Sequence, residues 1–322
     1  MSDFSSRVYR FIFWAAAAYN IGFGLWAALF PKAFFTLFHL APPRYPGIWA
    51  CLGMVVGLYG VGYAYAAWRL DRAFPFIAIG LAGKILGPIG WVLSVGSAEL
   101  PARTFPLIVF DDLIWWLPFS MFLLEGTPVT RFLKRTAPYW CAALHVVAAA
   151  GTLILLRGGS EAVADIHQRI GYLGEHADRW RAGWMLWMIA ALSLAAFYAW
   201  WSARTSRSIL PIAIAALGLT CDFAGEALLI GWIPRPDTML YRATALLTGG
   251  AGDGFYTIAA ILLTLGSPFS MPLRVWAWLT WTSGIALTIF TIMNMSAGVV
   301  ISSAALMILF IPLVVAIGTR LR

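Results

Sequence analysis

Five carboxylates and one lysine lie inside stretches that are otherwise apolar: Asp111 and Asp112 in VFDDLIWWL, Asp222 and Glu226 in LTCDFAGEALL, Asp253 in LLTGGAGDGFYTI, and Lys84 in GLAGKILGPIGW. An ionisable group in apolar surroundings is costly unless it is paired or wet, so such groups are read first as functional. Asp222 and Glu226 stand four apart on one helix face, and two carboxylates that close are expected to share a proton. Proton sharing is what a proton-coupled carrier or a general acid requires. Asp253 sits among Gly249, Gly250, Gly252 and Gly254. Glycines of this kind allow close helix packing, or a helix that unwinds to form a binding site. Lys84, with Gly83, Gly87, Pro88 and Gly90 around it, repeats the theme, and Pro88 is expected to kink its helix.

Depth along the helices suggests partners. Lys84 and Asp112 fall within a few ångströms of the same level, so they are expected to pair, with Asp111 pointing about 100° away. Asn20 would complete this polar belt. Trp115 and Trp116 beside Asp112, and Tyr256 beside Asp253, are the aromatic candidates for lining a cavity.

The elements that must carry these residues follow from composition. Of the 322 residues 61% are hydrophobic and 11% charged, and the mean hydropathy is +0.81. About 20 apolar residues at about 1.5 Å each cross the hydrocarbon core, and about ten such runs are present. They begin near 9, 47, 74, 104, 138, 182, 210, 240, 273 and 298 and end near 30, 68, 96, 124, 156, 202, 232, 265, 293 and 318. The expected fold is an all-α polytopic helix bundle, because an open strand in lipid leaves backbone groups unpaired.

The net charge of +8 is scattered through short loops rather than gathered on one element, which argues against nucleic acid and for membrane topology. With the N-terminus inside, about 12 Lys and Arg residues fall on the inner side, Arg7, Arg131, Lys134, Arg274 and Arg322 among them, and about 9 on the outer. Both termini are therefore expected in the cytoplasm, with a bacterial-type inner membrane as the setting and the bilayer as the first partner. The N-terminal run reads as a retained anchor. Cys51, Cys141 and Cys221 fall at different depths and read as structural.

Two loops divide the chain. EGTPVTRFLKRTAPYW, 125–140, reads as a cytoplasmic linker between spans four and five. Residues 157–181 read as an outer loop with an amphipathic helix, in which Val163, Ile166, Ile170 and Leu173 recur at helical spacing and Asp165 pairs with Arg169. The loops permit a five-plus-five division, 1–156 and 182–322, or a four-plus-six division after 125. Five spans per half would be the inverted-repeat plan of many carriers, with spans three and eight as paired interrupted helices.

Residues 1–125, through GLAGKILGPIGW and DDLIWWLPF, resemble small four-span bacterial membrane proteins of unassigned activity. That resemblance implies the four-plus-six division and no chemistry.

His39 and His145 differ too much in depth for a bis-histidine haem, and no nucleotide loop, serine elbow or HExxH is present, so no cofactor or metal is expected. The residues point to a proton-coupled secondary transporter of a small organic or lipid-like solute. In it Asp222 and Glu226 exchange the proton, Asp253 and Lys84 line the solute site, and Asp112 holds Lys84 charged. The alternatives are an intramembrane acid/base enzyme, such as an isomerase or cyclase of isoprenoid or sterol-like lipids with Trp115, Trp116 and Tyr256 facing a carbocation, and a non-catalytic membrane-complex subunit. Gly53 and Gly57 form a GxxxG pair that serves internal packing or an oligomer.

Overall fold

Among the described residues, ten apolar helices, each long enough to cross a bilayer, make up most of the chain. The structure is a computed structural model that describes residues 2–232 and 238–321, so Arg322 of the inner basic set lies outside the described residues. Among the described residues there is no strand, and the protein is an all-α multi-pass membrane protein. The helices fall into two compact units, Met1–Arg131 and Phe132–Arg322.

The first unit holds α1 (Asp3–Leu29), α2 (Pro46–Trp68), α3 (Phe74–Gly96) and α4 (Ala102–Leu123). Ser2 caps α1 by accepting from the Ser5 backbone at 3.2 Å, and Pro46 opens α2 where a missing N–H costs nothing. Gly24 of α1 lies against Gly53 and Gly57 of α2 so closely that a Cβ there would come within 2.7 Å of their backbone. The GxxxG pair is thus spent on packing inside this unit. Phe13, Tyr63 and Phe119 form its buried aromatic core. In the turn between α2 and α3, Arg69 bonds exposed Asp71 at 3.0 and 3.2 Å and holds its carboxyl below the ordinary carboxylate range.

The second unit contains α5 (Pro128–Gly159), α6 (Ile166–Glu175), α7 (Ala177–Arg204), α8 (Leu210–Gly231), α9 (Thr238–Leu265), α10 (Met271–Ile292) and α11 (Ser296–Arg320). The expected linker 125–140 is helical from Pro128 onward. Thr127 is the reason: its hydroxyl accepts from the Thr130 backbone at 3.4 Å, and proline follows at the first helical position. Helix α6 is capped by Asp165, whose carboxylate accepts from His167 N at 2.9 Å. That capping role takes Asp165 out of the expected pair with Arg169, which turns to Glu161 at 3.8 Å.

The expected helix breaks are also corrected. Helix α3 runs unbroken through Pro88, and α9 is not unwound at its glycines but widens into a π-helical turn over Leu246–Gly252. Similar wide turns occupy Val109–Leu113 in α4 and Thr152–Leu156 in α5. Each one makes i→i+5 hydrogen bonds, a form that inserts a residue without opening the helix and often marks functional positions.

Candidate functional site

In the first unit the polar belt closes around Lys84. Its ammonium group, 5% exposed, lies 3.5 Å from Asp111 Oδ1 and donates to Asn20 Oδ1 at 3.3 Å. The expected pairing with Asp112 is therefore corrected to Asp111. The wide turn over Val109–Leu113 rotates less per residue than an α-helix, which brings both carboxylates toward α3. Asp112 is buried with its carboxylate packed on Gly87, where a Cβ would collide with it. Asn20 also donates to the Ala16 carbonyl at 2.8 Å, so its amide is oriented with the oxygen toward Lys84.

The two tryptophans do not form a wall together. Trp115 packs into the aromatic core and donates to the Phe110 carbonyl at 2.9 Å. Trp116 is 37% exposed and donates to the Lys84 carbonyl at 2.8 Å, bracing α4 on α3. The cluster sets one cation against two carboxylates, and Asp111 Oδ1 makes no hydrogen bond among the described residues.

The second unit holds a cavity of about 970 Å³, to which Asp222, Glu226, Asp253 and Tyr256 all contribute. That is the upper end of the range for small-molecule sites. Two helices bring the acids together. On α8, Asp222 and Glu226 are one turn apart on the same face. On α9, Gly252 sits against the Asp222 Cβ, which a Cβ of its own would approach to 3.1 Å, and Gly218 of α8 lies equally close to Tyr256. Gly252 thus lets α9 approach α8 closely, while Gly249 and Gly254 face Thr291 and Thr288 of α10, and the wide turn before Asp253 sets the direction in which it points.

The Tyr256 hydroxyl donates to Asp222 Oδ2 at 3.2 Å, and the Tyr198 hydroxyl donates to the Tyr256 carbonyl at 3.2 Å. Glu226 is 1% exposed, and its Oε2 has no hydrogen-bond partner among the described residues. Asp222 and Asp253 line the same chamber. Three carboxylates in one low-dielectric chamber, none of them ion-paired among the described residues, are suited to holding and passing a proton.

Sequence reasoning missed the basic side chains of the lining, four of them among the described residues. His145, buried on α5, bonds the Cys141 carbonyl through Nδ1 at 2.8 Å. A carbonyl only accepts, so Nδ1 carries the proton and the neutral ring keeps Nε2 as an acceptor. Its position within a run of apolar residues, like those of the acids, was the available signal.

The other three are arginines at the loop end of the chamber. Arg169 on α6 is 5% exposed and donates to the Val163 carbonyl at 2.5 Å and to Ser296 Oγ at 3.1 Å, with its guanidinium 5.7 Å from the Tyr241 ring. Arg242, in the first turns of α9, donates to the Thr291 and Ile292 carbonyls at 2.5 and 2.6 Å, which ties it to the end of α10. Arg157 is exposed at the end of α5. Helix α6 therefore covers the chamber rather than lying free on the membrane surface.

Lys84 and Asp253, expected in one solute site, stand in different compact units, and only Asp253 lines this chamber. No family model, no curated protein and no solved structure matches the chain.

Proposed function

We propose that the second unit is the working part of a proton-coupled carrier for a lipid-like solute. One observation carries the reading: the chamber runs from the loop end of the helices to about their middle, and its deep part holds three carboxylates. Its innermost lining residues, His145, Tyr198, Thr257, Trp281 and Phe310, lie near or beyond the middle of their helices, and none comes from the opposite helix ends. A chamber that reaches from one end of the helices to their middle, with ionisable groups in the wall of its inner half, is the arrangement that alternating access needs. Asp222 and Glu226 hold the exchangeable proton, Tyr256 orients Asp222, and Asp253 faces the solute. The distribution of Lys and Arg supports both termini in the cytoplasm of a bacterial-type inner membrane, which puts the chamber mouth outside.

The chamber wall favours a second reading. Trp184, Trp187, Trp281 and Phe310 surround the acids, and aromatic faces beside a proton donor suit an intramembrane isomerase or cyclase that passes through a carbocation. The Lys84 cluster belongs to neither mechanism and serves to fix α3 on α4.

Untargeted mass spectrometry of lipids and of small molecules inside and outside the cell separates the readings. Wild type, a deletion and Asp222→Asn/Glu226→Gln would be compared. An unchanged set of molecules redistributed across the membrane supports the carrier. Accumulation of an unisomerised or uncyclised lipid in both altered strains supports the enzyme and overturns the carrier.

A further inference from the structure

The acids line the inner half of the chamber, while its loop end carries charge of the opposite sign that transport of a proton does not use. We infer that Arg157, Arg169 and Arg242 bind the phosphate head of an amphiphile whose apolar tail lies in the tryptophan-lined body of the chamber. The inference rests on reading the chamber as a ligand site and names the class of ligand.

Charge at the mouth is the first reason. Among the described residues three guanidinium groups meet one carboxylate there, Glu161, whose oxygen is 3.8 Å from Arg169. Among the described residues Arg157 and Arg242 make no ion pair, although Arg242 is fixed by the Thr291 and Ile292 carbonyls. Among the described lining residues of the mouth, three positive charges less one negative leave a surplus of two, which matches a phosphate monoester of about −1.5 to −2 better than a carboxylate. Guanidinium forks are also the side chains best shaped to grip phosphate.

The wall of the chamber is the second reason. Leu153 on α5 and Ile308 on α11 both line the cavity and are 71% and 72% exposed. An apolar side chain that belongs at once to a chamber and to the lipid-facing surface marks a sideways opening into the bilayer. Helices α5 and α11 meet further along, where Gly318 packs on Pro138. They leave the gap on the side of the arginines. A ligand that enters there with its head at the level of Arg242 would extend its tail toward Asp253, about 16 Å along α9.

The test uses the full chain in phosphatidylcholine nanodiscs and isothermal titration with three probes: dodecyl phosphate, dodecanol and inorganic phosphate. The expected result is saturable binding of dodecyl phosphate, at least about tenfold tighter than that of either other probe, and about tenfold weaker in Arg157→Gln. Arg242→Lys should lose less affinity than Arg242→Gln, because the charge stays while the fork is lost. Arg157→Gln keeps the test valid if Arg242 variants misfold, since Arg157 makes no bond among the described residues that the fold would miss.

Equal binding of dodecanol would overturn the head-group site, and equal binding of inorganic phosphate would overturn the amphiphile in favour of a free anion. Wild-type affinity in Arg157→Gln and Arg242→Gln would overturn both. None of these titrations requires proton movement. Arginine-dependent binding without any proton release would sink the carrier reading and leave the phosphate site standing.

Discussion

Tyr256 on α9 donates its hydroxyl to Asp222 on α8 at 3.2 Å, and this is the hydrogen bond through which the two acid-bearing helices meet in the chamber. A donor of this kind fixes the orientation of the carboxylate it bonds. Tyr256→Phe removes the donor and keeps the ring. The variant should fold, lose about 1–3 kcal/mol of stabilisation of the Asp222 anion, and release fewer protons when ligand binds. Infrared difference spectra, which resolve the carbonyl band of a protonated carboxylic acid, would check it; an unaltered band would show that the bond plays no part in proton exchange.

Asp253→Asn replaces a chamber-facing carboxylate with a neutral group of nearly the same shape. The expected outcome is loss of ligand-coupled proton exchange with a thermal midpoint in detergent unchanged within error. Full activity in this variant would remove Asp253 from the mechanism.

The Lys84 cluster allows a sharper measurement. Because Lys84 is buried and its nearest carboxylate is Asp111, changing either alone strands a charge and should cost about 3–5 kcal/mol, while Lys84→Met with Asp111→Asn should recover much of the loss. A double-mutant cycle by unfolding in mixed micelles should give a larger coupling for Lys84 with Asp111 than with Asp112. The reverse order would restore the pairing that helical spacing suggests.

Glycines on one helix should respond differently to alanine. At Gly87 a methyl group collides with the Asp112 carboxyl, whereas at Gly83 and Gly90 it meets open space. Gly87→Ala is expected to destabilise by about 1–3 kcal/mol. Gly83→Ala and Gly90→Ala should be neutral or stabilising by up to about 1 kcal/mol, through the helix preference of alanine. Unfolding of the three variants side by side is the measurement.

These outcomes bear on what could be read from residues alone. The ten spans were legible because apolar runs of this length have one stable solution in lipid. Asp222, Glu226, Asp253 and Tyr256 were legible as a group because charge inside such runs is rare. Lys84 with Asp111 was not, since a π-helical turn has no residue signature and shifts every angle that follows it. Arg242 lay inside the eighth apolar run and offered the same signal as the acids, yet a cation near a span end reads more readily as a marker of topology. Arg157 gave no signal, and Arg169 was read only as the partner of Asp165 on a surface helix, with a substrate-gating lid as the lesser reading of that loop, because loop length does not reveal that α6 folds back over the chamber.

The wide turn over Leu246–Gly252 has a consequence for how this protein can change. It holds one residue more than an α-helix needs, so deleting one residue there would leave a continuous helix with every hydrogen bond made. Everything from Asp253 onward would then be turned by about 100° relative to the start of α9, swinging Asp253 and Tyr256 off the face that meets Asp222. The turn works as a phase marker: a single-codon loss at this point would be silent for membrane insertion and decisive for the chamber.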